Sequence, residues 1–363
     1  MGGIDASQAR LMPLTFDDLD GWRDDDHGAA FAAFRRGAGG LAEVAPKTRR
    51  LGVDGAGLGS ILAKTTALPA DLSADRARDF FETNFTPAAV VAADGGGFFT
   101  GYYEPEVAGS LTATDEFQVP LYRPPADLIE IEPGSVAGLD PTFRFARKTA
   151  TGFAEHFDRA AVMAGSLAGQ GLELLYLRDP IDAFFIHVQG AARIALADGR
   201  TLRVTYAAKS GHPYTPIGRV IADRAGISRE TVTMPVIREW LAAHPADAGA
   251  VMAANRSTIY FREAPVSDPA LGPIGAAKVP LAAGRSLAVD RLLHTFHTPI
   301  WIETKLPAGG GFRRLMVAQD TGSAITGPAR GDIFFGSGDA AGEIAGAMRA
   351  PGRFIVLLPR GAR

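Results

Sequence analysis

Two aspartates near the end of the chain have neighbours that suit acid catalysis. Asp320 lies in the stretch VAQDTGSAI (317–325), and Asp332 follows twelve positions later in GDIFFG (331–336). The apolar residues before Asp320 and after Asp332 predict strands. A carboxylate at the mouth of an apolar strand can have the raised pKa that an acid catalyst needs. The alternative role of each aspartate, accepting hydrogen bonds from turn amides, is common for loop aspartates, so other residues must decide.

A block upstream, FFTGYYEP (98–105), combines aromatic and polar side chains at the end of a strand-like run. Tyrosine rings can cover the apolar faces of sugars while their hydroxyls bind the sugar substituents. The block therefore predicts sugar contacts by Thr100, Tyr102 and Tyr103. The alternative is that the two tyrosines pack a domain junction.

Two more blocks follow, IHVQG (186–190) and YAAKSGHPYTPIG (206–218). Together with the first block and the closing aspartates, they resemble the lytic murein transglycosylase A (MltA) family, which has the same blocks in the same order. The match runs from about Phe98 to Gly336, most of the chain. One departure is Arg330-Gly331 before the second aspartate, where some members have His-Phe and an interval one residue shorter. The segment before about Ser73 matches no block.

Composition limits the classes of protein to which the chain can belong. Its 363 residues are enough for two domains, and 47 % hydrophobic with 21 % charged residues is a globular composition. A net charge of −3 without clustered lysine and arginine does not favour nucleic acid as a partner. The absence of cysteine excludes disulfides and thiolate zinc sites. His294 and His297 lack a metal-binding spacing and are expected to be structural or surface residues.

The resemblance implies the fold, which is mainly β with some α. It implies a double-psi β-barrel domain formed by residues 1–105, with their N-terminal helices, and 247–363. A smaller β-rich α+β domain, 106–246, is inserted between them, and a groove is expected between the two domains. From the residues alone, we predict a strand over 183–189 and a hairpin around Asp198-Gly199, because Asp-Gly suits a tight turn.

The resemblance also implies the reaction. A lytic transglycosylase cleaves the β-1,4 bond between N-acetylmuramic acid and N-acetylglucosamine in peptidoglycan, and the sugar's own C6 hydroxyl attacks C1 to leave a 1,6-anhydro end. One carboxyl group is sufficient, and no cofactor or metal is expected. Asp332 corresponds to the family's catalytic aspartate; Asp320 is expected to stay ionised and support it. Glu104 is the alternative acid, although a place at the rim of the groove suits it better. The predicted substrate contacts are Thr100, Tyr102, Tyr103, Gln189, Lys209 and Tyr214.

Two other functions stay open. A hydrolase could use Asp320 and Asp332 as an inverting pair about 6.5–9.5 Å apart, or the barrel could bind glycan without catalysis. The resemblance implies export to the periplasm or outer membrane, although Met1–Asp5 has no basic or apolar signal-peptide pattern. The expected partners are peptidoglycan strands and, with them, cell-wall synthesis or division proteins. Outer-membrane association would use a segment not present in this chain.

Overall fold

The computed structural model describes residues 9–43, 45–92, 95–266 and 268–361. The first five residues, in which no signal peptide was recognised, lie outside these ranges.

Strands outnumber helices in the described part of the chain. The strands are β1 (Arg10–Pro13), β2 (Phe85–Val91), β3 (Gly97–Glu104), β4 (Glu106–Ser110), β5 (Val119–Tyr122), β6 (Leu128–Glu130), β7 (Phe145–Thr149), β8 (Gly152–Ala154), β9 (Glu173–Leu177), β10 (Ala191–Leu196), β11 (Thr201–Lys209), β12 (Ile259–Ala264), β13 (Ser286–Val289), β14 (Pro299–Lys305), β15 (Gly311–Asp320), β16 (Arg330–Ser337) and β17 (Arg349–Pro359). The helices are α1 (His27–Gly39), α2 (Gly55–Lys64), α3 (Ala74–Asn84), α4 (Arg159–Met163), α5 (Pro180–Gln189), α6 (Ile217–Ala225), α7 (Met234–Ala243), α8 (Pro245–Ala253) and α9 (Asp339–Ala347). No helix among these residues is long and apolar enough to cross a membrane.

The chain divides into two compact units. The first comprises Met1–Tyr103 and Asp268–Arg363, and the second comprises Glu104–Ser267. The insert was predicted over 106–246. The second unit extends further because β12 pairs with β11, from Arg203↔Ala264 to Lys209↔Ile259. The groove expected between the two stays a prediction.

The first unit is built on a closed ring of six strands. The sheet order is β1-β2-β17-β14-β15-β13-β16-β3, and β17 also pairs with β3, so the sheet closes on itself. Strand side chains alternate between two faces, and every strand of the ring sends apolar residues into one interior cluster, including Phe99, Leu287, Met316, Ile333 and Phe354. The closed ring agrees with the expected double-psi β-barrel.

The outside of the barrel is covered in part by helices. In β14, β15 and β17 the residues between the interior ones face a second cluster; Trp301, Leu315 and Ile355 belong to it. This cluster also contains residues of α1, α2 and α3, such as Phe34 and Phe81. Because both faces of these strands are buried along their central parts, residues 299–302, 315–318 and 354–358 are continuously apolar instead of alternating.

The second unit contains a six-stranded sheet of order β12-β11-β10-β4-β9-β5 and a three-stranded sheet of order β6-β7-β8. The predicted hairpin is confirmed by the antiparallel pairing of β10 with β11. Its turn contains Gly199 at φ 84°, a backbone angle that glycine adopts without strain.

The predicted strand over 183–189 is wrong, because these residues belong to helix α5. Asp179 caps the helix by accepting a hydrogen bond from Ile181 N at 2.7 Å, and Pro180 occupies its first turn. Four successive residues, 183–186, are buried. A short run that is buried all round has no helical periodicity to distinguish it from a buried strand.

Candidate active site

The two aspartates lie on either side of one residue of the barrel wall. Ala288 of β13 pairs with Asp320 of β15 on one side and with Asp332 of β16 on the other. Neighbouring strands are about 4.8 Å apart, so the two aspartate Cα atoms are roughly 10 Å apart. The wall of the barrel therefore holds both carboxylates in one row.

A bulge in β15 brings Asp320 into this row. Leu287 pairs with Ala318, but the next residue of β13, Ala288, pairs with Asp320, so Gln319 is the extra residue. A bulge changes the direction of the following side chain. Simple alternation would put Asp320 on the interior face with Ala318; the bulge aligns it with Asp332 instead.

Asp332 is positioned by the neighbouring strand β3. Its side chain is half-buried, and its Oδ1 accepts a short hydrogen bond from the Thr100 hydroxyl. Burial raises the pKa of the Asp332 carboxyl above its usual value, although the charge of Arg330 and the bond from Thr100 both act to lower it. A raised pKa increases the fraction of Asp332 that is protonated near neutral pH, as a general acid requires.

Asp320 is surrounded by hydrogen-bond donors. Its Oδ1 accepts a bond from Ala276 N, and its Oδ2 accepts one from the Tyr102 hydroxyl, both at 3.0 Å. Burial raises the pKa of Asp320; these bonds and one from the Thr321 backbone act to lower it, whereas the charge of Asp332 adds to the rise. The pKa of Tyr102 is well above its usual value because of burial and the two carboxylates, so its hydroxyl remains a donor. Asp320 is thus held as an acceptor.

Gly101 lies in β3 between the two donor residues, Thr100 and Tyr102. It allows β3 to lie close to β16 and α9. A Cβ at this position would lie 2.7 Å from Phe335 Cε2 and 2.8 Å from Ala345 Cα, both too close for real atoms. A side chain here would push β3 away from β16 and α9. The glycine of the TGYY motif therefore supports the placement of Thr100 and Tyr102.

Sequence reasoning missed Arg330 as a site residue, because it was noticed only as a departure from the family pattern. Its Nη2 donates to Thr100 Oγ1 at 2.7 Å, and its Nη1 donates to the carbonyl of Gly331. Ala276 was also missed, since a backbone N–H leaves no trace in a motif. Its position two residues before Asp332 in the sequence was the one signal that could have identified Arg330 as a site residue.

The other predicted contacts are distributed between the two units. Tyr103 is 7 % exposed, and its ring packs against Gly342 of α9. A Cβ on Gly342 would lie only 2.8 Å from Tyr103 Cε2. Tyr103 therefore packs against α9, and its contact with substrate stays a prediction. Gln189 ends α5, Lys209 ends β11 and Tyr214 lies in the loop after β11, so all three belong to the second unit. Their contact with substrate stays a prediction.

Glu104 is buried, not at a rim. Its carboxylate is fully buried and accepts bonds from Arg193 Nε at 2.9 Å and from Arg203 Nε at 2.6 Å. The two guanidinium groups thus occupy both oxygens of the carboxylate. Glu104 therefore lacks the exposure that the alternative acid would need in order to reach a substrate.

Glu104→Gln is expected to destabilise the protein without changing the reaction product. Removing one partner of a buried ion pair typically costs about 3–5 kcal/mol, because the buried charge that remains, here that of Arg203, loses an opposite charge. Denaturant unfolding measures the change. The matched control is Glu106→Gln: its exposed bridge to Arg193 should contribute about 0–1 kcal/mol. Lost turnover in a Glu104→Gln protein of normal stability would return the acid role to Glu104.

Thr100→Val is expected to lower turnover about 10- to 100-fold. The substitution removes a hydrogen bond to a group that becomes charged, which costs about 1.5–3 kcal/mol. Thr100→Ser keeps the hydroxyl and serves as the control in the same assay. Equal rates for the valine and serine variants would show that the hydroxyl does not act on Asp332.

Among the described residues, no group of three histidine or acidic side chains is arranged to hold a metal ion. His294 and His297 are both fully buried, and burial lowers their pKa values to about 4. Neutral, buried histidines fit the structural role expected for them. The absence of a cofactor stays a prediction.

Two family models match the chain. The MltA specific insert domain matches residues 98–262, and the 3D domain matches residues 285–358.

Several known proteins are similar over much of the chain. The crystal structure of a membrane-bound lytic murein transglycosylase from Agrobacterium tumefaciens is 45 % identical, covers 96 % of this chain and 98 % of its own, and has a TM-score of 0.88. The membrane-bound lytic murein transglycosylase A of Escherichia coli K12 is 34 % identical over 71 % of this chain. The match covers 65 % of that protein, so the chain spans just under two thirds of this relative's length. A crystal structure of E. coli MltA with bound chitohexaose is 25 % identical, covers 96 % of this chain and 91 % of its own, and has a TM-score of 0.66.

Proposed function

The chain belongs to the lytic murein transglycosylase A family, and from this membership we propose that it is a peptidoglycan lytic transglycosylase. It cleaves the β-1,4 bond between N-acetylmuramic acid and N-acetylglucosamine and leaves a 1,6-anhydromuramoyl end. Asp332 is the single general acid and base. The observation that carries the proposal is a pair of aspartates in one row of the barrel wall, where burial raises the pKa of both carboxyl groups and Ala276 and Tyr102 donate hydrogen bonds to Asp320.

The reaction proceeds in two proton transfers on one carboxyl group. Asp332 gives its proton to the glycosidic oxygen as the C1–O bond breaks. The C6 hydroxyl then attacks C1, and its proton goes to the Asp332 carboxylate, which restores the acid. Asp320 keeps its negative charge and stabilises the positive charge that develops on the sugar ring.

A hydrolase with an inverting pair is the second candidate. The carboxyl groups of an inverting pair are about 6.5–9.5 Å apart. Side chains on Cα atoms roughly 10 Å apart can place their carboxyl groups at that separation. However, both oxygens of Asp320 already accept hydrogen bonds from Ala276 and Tyr102. A water molecule activated by Asp320 would have to approach oxygens that these donors already occupy.

The proposed substrate is the glycan strand of peptidoglycan. The chitohexaose in the E. coli MltA structure, a chain of amino sugars, supports a glycan ligand for this chain as well. The relatives' name, membrane-bound, supports a place at the outer membrane or in the periplasm. Partners in cell-wall synthesis or division stay a prediction.

Digestion of purified peptidoglycan, followed by mass spectrometry of the released muropeptides, tests the proposal. A lytic transglycosylase yields an anhydro product that is lighter by one water than the corresponding hydrolysis product. A reducing end would identify a hydrolase instead. Release of no fragment by the folded protein would favour a glycan-binding barrel.

A further inference from the structure

A chain of hydrogen bonds links Arg330 to the proposed acid through Thr100. Arg330 Nη2 lies 2.7 Å from Thr100 Oγ1, and the Thr100 hydroxyl is bonded to Asp332 Oδ1. A guanidinium group can only donate, so Thr100 Oγ1 must accept from Arg330. The one hydrogen of the Thr100 hydroxyl is therefore left for Asp332. The direction of both bonds follows from the chemistry of arginine.

Contacts with β3 and β16 hold the Arg330 side chain in place. Its Nη1 donates to the carbonyls of Gly331 and, at 3.5 Å, Phe98. Its guanidinium lies 5.4 Å from the centre of the Phe98 ring, at cation–π distance. The side chain is half-buried, so these contacts are only partly weakened by water. Arg330 is thus a fixed donor and not a mobile surface charge.

We propose that Arg330 is a positioning residue that orients the Thr100 hydroxyl and thereby confines the acidic proton of Asp332 to Oδ2. This inference rests on the proposed function for its catalytic meaning. A carboxylic acid whose Oδ1 accepts a hydrogen bond carries its proton on the other oxygen. This chain of hydrogen bonds from Arg330 through Thr100 to Asp332, called the relay below, therefore determines which oxygen of Asp332 can protonate the glycosidic oxygen.

The relay also acts during the reaction. When the proton leaves Oδ2 for the glycosidic oxygen, the bonding electrons stay on Asp332, which becomes a carboxylate. The Thr100 hydroxyl and the Arg330 charge stabilise that carboxylate more than they stabilise the neutral acid. Both lower the pKa of Asp332 and oppose the effect of burial. Interactions that strengthen in the transition state raise kcat without requiring a change in KM.

Carbon NMR of protein with 13C-labelled aspartate carboxyl groups measures the pKa of Asp332 in the absence of substrate and so tests the relay. Asp332→Asn identifies the Asp332 signal by its disappearance. In Arg330→Gln the pKa of Asp332 is expected to rise by about one unit, because an opposite charge nearby typically lowers an aspartate pKa by about 1–3 units. Arg330→Lys keeps the charge but not the planar fork, and we expect a smaller rise.

Arg349→Gln is the matched control. Arg349 lies 5.8 Å from the centre of the same Phe98 ring, and removing it leaves the bond between Arg330 and Thr100 intact. The pKa of Asp332 in this variant should stay close to that of the unmodified protein. An Asp332 pKa that is unchanged in Arg330→Gln, or changed equally in Arg349→Gln, would overturn the proposal.

Kinetics on peptidoglycan provide the second readout. Arg330→Gln is expected to lower kcat about tenfold at nearly constant KM and to move the alkaline limb of the pH–rate profile to higher pH. A loss of kcat without movement of that limb would indicate a merely structural role and contradict the proposal. Because the NMR titration needs no turnover, a pKa shift in a protein that forms no anhydro product would refute the proposed function while leaving the relay intact.

Discussion

Asp332→Asn is expected to abolish turnover of peptidoglycan. A mechanism with one carboxyl group has no substitute proton donor, and loss of general acid–base catalysis typically costs about 10²–10⁴-fold or more. Asparagine keeps the shape of the side chain and an oxygen that can accept from Thr100. Release of anhydro-muropeptides, followed by mass spectrometry, gives the rate.

The Asp332→Asn protein should fold and still bind glycan. Burial raises the pKa of Asp332, so ionising it destabilises the folded state as pH rises from the unfolded-state pKa through the folded-state pKa. A neutral asparagine removes this cost, and the variant should be at least as stable at neutral pH. Near-normal activity in the folded variant would exclude Asp332 as the acid and direct attention to Asp320.

Asp320→Asn is expected to lower the rate about 10²–10³-fold, the usual effect of removing one strong electrostatic contribution to a transition state. The product should remain the anhydro sugar, because Asp320 does not transfer a proton in the proposed mechanism. Removing a like charge should also lower the pKa of Asp332, so the alkaline limb of the pH–rate profile should move to lower pH. Rates measured across the pH range, with product masses at each pH, check both expectations.

Tyr102→Phe separates the charge of Asp320 from its orientation. This variant keeps the carboxylate but removes the hydroxyl that donates to Oδ2 at 3.0 Å. Its rate should fall less than that of Asp320→Asn, and the pKa of the acid should not decrease.

A pH–rate profile that is unchanged in Asp320→Asn would mean that the two carboxylates do not interact. Formation of a reducing end by the unmodified protein would identify the pair as that of an inverting hydrolase.

Local patterns in the chain were sufficient for many elements of the fold. The Asp-Gly turn between β10 and β11 was predictable because few residues other than glycine tolerate its backbone angles. The strands beside both aspartates were predictable from their apolar runs. Helix α5 was not, since its residues 183–186 are all buried and therefore lack periodicity.

The sequence by itself determined the residue types of the site, since the blocks that contain Thr100, Tyr102, Asp320 and Asp332 can be recognised as motifs. Only the tertiary structure decided how they meet. The bulge at Gln319 turns Asp320 to the face of Asp332, and the pairing of β3 with β16 in the barrel places Thr100 beside Asp332.

The tertiary structure also decided two assignments that motifs left open. Glu104 follows the tyrosines directly in sequence, yet Arg193 and Arg203, far along the chain, neutralise it in the second unit. Arg330 looked like a departure from a pattern, yet it donates to Thr100. A hydrogen bond or an ion pair depends on distance and direction in space, and residues far apart in sequence acquire both only when the chain folds.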